Sequence, residues 1–246
     1  MNNIILRLEN ISFKMKHKNK SLTILDKINL KIYEREIIGI TGESGSGKTT
    51  LGKVICGLEK ETSGEKYFRN QKFSGIESQK RIQFLFQNYA LTHDPLQSLN
   101  SSFDEILELK KVPKHLYNTI KTDVLKKVAL EYSILNNYPS NLSGGELQRL
   151  AIAKLLLLEP ELLILDEPFA SQDILSQENI VDLLKKLNRE LGITILIIAH
   201  DLPLLEKLCN RIVIMKDGKI LEILKEENMF NPLHDYTKYL LEVFNE

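Results

Sequence analysis

Tryptophan is absent from the 246 residues, and cysteine occurs only as Cys56 and Cys209. Two isolated cysteines exclude a disulfide framework and read as reduced core thiols of a cytosolic protein. Met1 to Ile11 mixes charged with apolar residues, so no secretory leader is expected, and no apolar run reaches the roughly 18 residues that a membrane span needs. The chain by itself is therefore not expected to cross a membrane. Charge of one sign is not in excess either, because Lys plus Arg and Asp plus Glu are each 33. A zero balance argues against non-specific nucleic-acid binding, and no nucleic-acid partner is expected. His17, His93, His115, His200 and His234 show no metal-ligand spacing. Repeats and low-complexity tracts are missing too. What remains is one globular unit, with 43% apolar residues to build its core.

What is present is ordered around one stretch. Gly42-Glu43-Ser44-Gly45-Ser46-Gly47-Lys48-Thr49 fits G-x-x-x-x-G-K-[ST]. Ile37 to Ile40 before it reads as a strand buried on both faces, and Leu51, Val54, Ile55 and Leu58 after it recur at helical spacing. A loop that leaves a strand and opens a helix is a phosphate cradle: its glycines allow close backbone approach, and its N–H groups and the helix dipole attract the anion. Lys48 would reach the β- and γ-phosphates, and the Thr49 hydroxyl would ligate Mg²⁺.

Along the chain, alternation over residues 4–13 and from Leu22 to Ile32 predicts two antiparallel strands joined by a basic loop with Lys14, Lys16, Lys18 and Lys20, a solvated tip. Thr62 to Glu65 reads as turn material, and Ile82 to Phe86 as a strand ending at Gln87. From Asn88 to Asn141 the pattern is mostly helical, around Phe103 to Leu109 and Leu116 to Leu130, broken by Pro95, Pro113 and Pro139. A helix follows Leu142-Ser143-Gly144-Gly145-Glu146-Leu147-Gln148-Arg149 and is closed by Pro160. Leu162 to Leu165 is an apolar strand running into Asp166-Glu167-Pro168. Next come a helix ending at Gly192, a strand from Ile193 to Ile198 that ends at His200, a helix from Leu202 to Leu208, and a hairpin turning at Asp217-Gly218. Alternating strands and helices make the fold class α/β.

In open α/β sheets ligands sit beyond the carboxyl ends of the strands. Lys48, Gln87, Asp166, Glu167 and His200 all follow strands. Asp166, at the end of its apolar strand, completes the Mg²⁺ shell opposite Thr49, and Glu167 suits a base or orienting group for an attacking water.

With Ser143-Gly144-Gly145-Glu146 between the two nucleotide motifs, the chain resembles the ABC-type ATPases over essentially its whole length. The resemblance implies a phosphate-loop NTPase core with a small antiparallel β subdomain and a helical insertion. One domain would fill residues 1–246: core at 1–87 and 142–230, helical subdomain at 88–141, C-terminal helical tail at 231–246. It implies ATP and Mg²⁺ as ligands, with Gly42, Glu43, Ser44, Gly45, Ser46, Gly47, Lys48, Thr49 and Thr50 as the ATP-binding loop. Thr49, Gln87 and Asp166 would hold the metal. Gln87 would also sense the γ-phosphate, Glu167 would be the catalytic glutamate and His200 the switch histidine. Ser143, Gly144, Gly145 and Glu146 would act in trans, on ATP held by a second ATPase subunit, the same chain or a paralogue, and Asp173 would cross that interface. Transmembrane permease subunits would dock on the helical insertion at the cytoplasmic face of the membrane, with an extracellular binding protein engaged indirectly.

Three local patterns narrow the resemblance. Phe86-Gln87, Asp94-Pro95 and Ser98-Leu99-Asn100 are similar to F-Q-D-P…S-L-N-P of peptide and nickel importers. His200-Asp201-Leu202 with Leu208-Cys209-Asn210-Arg211, and Asn231-Pro232-Leu233-His234-Asp235-Tyr236-Thr237-Lys238, match two more of their segments. No long cysteine-bearing extension is seen, which favours the shorter nickel or metallophore kind over the peptide kind. Met15 stands where the family places an aromatic ring against adenine, with Phe13 as the alternative if the register slips, and Gln172 replaces the usual leucine before Asp173. The runner-up is a soluble ABC-type ATPase of translation or DNA maintenance, which usually carries two cassettes or a long coiled coil. A nucleotide kinase or GTPase would leave Ser143-Gly144-Gly145 and His200 without a purpose.

Overall fold

A computed structural model describes residues 3–17, 20–73, 81–170, 173–225 and 232–244. Lys18, Gln172 and Asn231 lie outside the described residues, and Lys14, Lys16 and Lys20, expected in a basic loop, instead belong to paired strands, because the ladder runs on past the apolar alternation to His17 opposite Lys20. Ile37–Thr41 (β3), Ile82–Leu85 (β6), Leu162–Asp166 (β7), Thr194–Ile198 (β8) and Arg211–Lys216 (β9) form a parallel sheet. Lys219–Lys225 (β10) closes one edge antiparallel to β9, giving the order β10-β9-β3-β8-β7-β6. Asp217 and Gly218, at φ 48° and 74°, make the left-handed pair that a two-residue hairpin turn requires.

The period of two along these strands divides the interior. Ile38, Ile40, Ile164, Leu196, Ile198 and Val213 point to one face, where they meet a second sheet and the helix Lys48–Cys56 (α1). Leu163, Leu165, Ile195, Ile197, Ile212 and Ile214 point to the other and are covered by helices. Both faces being apolar, the strands read as continuous apolar runs. Each fully buried Leu or Ile contributes about 1.5–3 kcal/mol.

The second sheet has four antiparallel strands in the order β2-β1-β4-β5: Ile4–His17 (β1), Lys20–Tyr33 (β2), Ser63–Phe68 (β4) and Gln71–Lys72 (β5). It is larger than the hairpin that the alternation foretells. Residues 63–65, expected as a turn, pair with β1 through Glu65 opposite Glu9 and Ser63 opposite Ser12, with Gly64 at φ 100°. Gly57 in the left-handed conformation ends α1 early, so Leu58 falls outside the helix and is 49% exposed.

Between Gln87 and Ser143 the longer elements are Leu99–Leu109 (α2) and Tyr117–Lys127 (α3), with short 3₁₀ turns. They share one continuous core with Gly144–Leu156 (α4) and with Ile174–Leu191 (α5), which Gly192 caps at φ 67°. Leu202–Leu208 (α6) and Asp235–Phe244 (α7) complete the helices. Cys56 ends α1 and Cys209 caps α6 in extended conformation; burial raises the pKa of both thiols, as suits inert core residues. Among the described residues no helix is long and apolar enough to cross a membrane.

Candidate functional site

A cavity of about 490 Å³ opens beyond the carboxyl ends of β3, β6, β7 and β8. The register sets its chemistry: Ile40 lies opposite Ile198, Ile198 opposite Asp166, and Leu85 opposite Leu165, so the residues just past each strand end emerge at one level. Gly42, Ser44, Gly45, Gly47, Lys48, Thr49 and Thr50 line the floor, with Gln87, Glu167 and His200 on the walls. Glu43 and Ser46 belong to the same loop but do not line the cavity. The Glu43 N–H is donated to the Tyr236 hydroxyl at 3.1 Å, and Ser46 is buried with its carbonyl accepting from Gly218 N–H at 3.1 Å.

Two glycines here have no substitute. A Cβ on Gly42, at φ 145°, would lie 2.0 Å from the Met215 carbonyl oxygen, and one on Gly47, at φ 99°, 2.9 Å from that of Ile24. The loop is thus pressed between β9 and β2, and Ile24 itself reaches the cavity. Lys48 Nζ donates to the Gly42 and Glu43 carbonyls at 2.8 and 3.0 Å. Burial lowers its pKa, partly offset by the Glu167 and Asp166 carboxylates.

Asp166 is buried behind Thr49, whose Oγ1 donates to its Oδ1 at 3.1 Å. Burial raises the Asp166 pKa. Glu167 has φ 50°, a conformation that a non-glycine residue holds only when its surroundings fix it, and its N–H donates to Ile198 O at 2.7 Å. His200 Nδ1 lies 2.9 Å from Glu167 Oε2, so the ring nitrogen donates and the carboxylate accepts. The hydroxyl, carboxylate and amide of Thr49, Asp166 and Gln87 are hard oxygen donors that suit Mg²⁺. Among the described residues no group of three His, Cys, Asp or Glu gathers to hold another metal.

The family model described as ABC transporter matches residues 25–170. The chain belongs to the ABC transporter family. It is similar to the oligopeptide transport ATP-binding protein OppF of Streptococcus mutans, with 36% identity over 252 residues, 98% of this chain and 82% of that protein. OppF of Salmonella typhimurium is 37% identical over 238 residues, 90% of this chain and 69% of that protein. Among solved structures, the dimeric ATP-binding cassette MJ0796 bound to ADP and Pi is similar at TM-score 0.79 and 33% identity, covering 89% of this chain and 98% of that one. CbiO1 of Clostridium perfringens, part of the ABC transporter complex cbiONQ, is similar at TM-score 0.84 and 27% identity, covering 93% and 91%. An ABC cassette of this kind hydrolyses ATP in a reaction coupled to transport.

The other expected residues of the ABC cassette lie outside its cavity. Ser143 caps α4, accepting Glu146 N–H at 3.3 Å, while Glu146 Oε2 accepts Ser143 N–H at 2.9 Å and the Ser143 hydroxyl at 2.6 Å, a capping box that lowers the Glu146 pKa. Ser143, Gly144 and Gly145 thus form a helix N-terminus that does not line the cavity holding Lys48. Asp173 caps α5 by accepting Ser176 N–H at 2.9 Å, with Ile174 and Leu175 exposed beside it.

Sequence reasoning missed the residues that lock these parts together. Gln148, buried in α4, donates to the Pro168 carbonyl at 2.6 Å and so joins the Ser143 helix to the Glu167 turn. His93 is buried with Nε2 3.1 Å from Leu147 O, and Lys154 Nζ donates to Thr92 O at 3.3 Å, tying the segment after Gln87 to the same helix. Burial, with the Lys154 ammonium second, pushes the His93 pKa down to about 4, so the ring is neutral and its Nε2 donates. The side chain of Gln148 falls in the quoted motif, but no local pattern names its partner.

Phe13 pairs with Leu25 and is 8% exposed, its ring spent in the core; Met15, opposite Leu22 after a register shift, is 50% exposed. Met15 is thus the side chain of the two free to meet a base. Met15→Tyr is expected to tighten ATP binding about tenfold, within the ~1–3 kcal/mol of a base–aromatic stack, and to raise the preference for ATP over GTP. Equilibrium titration of parent and variant with both nucleotides checks this; equal affinities would assign the base to another residue.

Proposed function

We propose that the chain is the ATP-hydrolysing subunit of a membrane importer for small peptides. The observation that carries this reading is the convergence of Lys48, Gln87, Glu167 and His200 on one cavity, in a chain whose relatives are oligopeptide transport and peptide import ATP-binding proteins. Those relatives favour peptides over nickel chelates as cargo. The loop N–H groups and Lys48 bind the triphosphate, and Lys48 leaves the Gly42 and Glu43 carbonyls to do so. Thr49, Asp166 and Gln87 would hold Mg²⁺, which when bound neutralises phosphate charge. Glu167 orients the attacking water and takes its proton, while His200 fixes the carboxylate through Nδ1.

A second subunit, a copy or a paralogue, brings its Ser143, Gly144 and Gly145 to the outer phosphate, with Asp173 at the same interface. Residues 88–141 form the helical subdomain on which permease subunits dock from the membrane, and an external binding protein delivers the cargo to them. Residues 1–87 and 142–230 form the core, and 231–246 the tail. The test is isolation of the chain, cross-linked, from its native cells. Recovery of polytopic membrane proteins, with loss of uptake of a labelled pentapeptide on deletion of the gene, is expected. Recovery of ribosomal or DNA-repair components without membrane proteins would favour the soluble ABC-type ATPase instead.

A further inference from the structure

Glu43 is the second residue of the phosphate loop, and its backbone is held at both ends. Its carbonyl accepts from Lys48 Nζ at 3.0 Å and from Ser46 N–H at 3.2 Å, and its N–H is donated to Tyr236, which lies 193 residues further along the chain. Tyr236 is itself firmly seated. It is 9% exposed, and the Lys216 ammonium lies 4.3 Å from its ring centroid. Ahead of it, the Glu222 carboxylate on β10 accepts Leu233 N–H at 2.8 Å and His234 N–H at 3.3 Å, and His234 Nδ1 accepts Tyr236 N–H at 3.2 Å. One turn further on, Leu240 of α7 is buried in the core. The phenol oxygen is therefore delivered to the loop by a segment anchored to β9, β10 and the core.

When nucleotide enters, Lys48 turns to the phosphates and the Gly42 and Glu43 carbonyls lose its ammonium. The Tyr236 contact does not depend on Lys48 and remains. We propose that Tyr236 is a positioning residue for ATP: its hydroxyl pins the Glu43 amide, so that the first turn of the loop keeps its shape with Lys48 gone from it. This rests on the reading of the cavity as the ATP site. It assigns to the C-terminal segment a part in nucleotide binding, and it predicts a defect in affinity rather than in the chemical step.

Tyr236→Phe removes one oxygen and leaves the ring to pack beneath Lys216. A single hydrogen bond to a backbone amide corresponds to about fivefold in affinity, so Kd and KM for ATP should rise about fivefold or more while kcat at saturating ATP stays within about twofold. The Tm of the variant should fall by no more than about 2–4 °C, the usual cost of one hydrogen bond in a chain of this size, and Tyr236→Leu, which also loses the ring, should lower affinity and lower Tm further. The proposal is overturned if the Phe variant binds ATP as the parent does, or if its kcat falls with KM unchanged. Lys48→Ala is measured alongside. If it too binds ATP like the parent, the reading of the cavity has failed; if it loses binding while Tyr236→Phe does not, only the role of Tyr236 has.

Discussion

Glu167→Gln keeps ATP bound at parental affinity and lowers kcat by about 10²–10⁴, the usual range for loss of a positioned general base. The amide has nearly the carboxylate's size and can still accept from His200 Nδ1 through its oxygen, so the 2.9 Å contact and the turn at φ 50° survive. What it cannot do is take a proton from water. The Thr49–Asp166 pair, at 3.1 Å, is left untouched, as are the loop N–H groups, so the affinity for nucleotide should not change. Steady-state hydrolysis with a parallel binding titration separates the two quantities. A variant that retains activity within about tenfold of the parent, about 1.4 kcal/mol of barrier, would show that Glu167 is not the main base.

The parts of this site that could be read from the sequence are those written in consecutive residues. The phosphate loop, the apolar strand ending in Asp166-Glu167 and the Ser143-Gly144-Gly145 turn each carry their chemistry within a few positions, and the strand ends bring the first two to one level. The strand Ser63–Phe68 escaped because its first residues are Ser, Gly and Glu; it exists through backbone pairing with β1, which has no side-chain signature. The contacts that brace the site escaped for a related reason. Gly47 is pressed on Ile24, Gln148 on Pro168 and Glu43 on Tyr236 across long separations in the chain, and the partner of a backbone amide leaves no mark on the residues around it.

The central claim is that two chains share each ATP, because Lys48 and Ser143 are both at anion-binding helix N-termini and only Lys48 lines the cavity of its own chain. Lys48→Ala removes the ammonium from one side of the triphosphate, and Ser143→Arg fills the space before Gly144 and Gly145 on the other. Each variant alone should be inactive, since in a homodimer both sites carry the lesion. In a mixture, a heterodimer has one site with both lesions and one with neither, the latter built from Lys48 of the serine variant and Ser143 of the lysine variant. The most direct measurement is ATP hydrolysis by that equimolar mixture, set against a tethered dimer with a single intact site and against a parent that self-associates on ATP. Return of about a quarter of parental activity is predicted, half the dimers having one good site of two. If the parent dimerises, the tethered control turns over and the mixture remains as inactive as either variant alone, the shared-site account is contradicted.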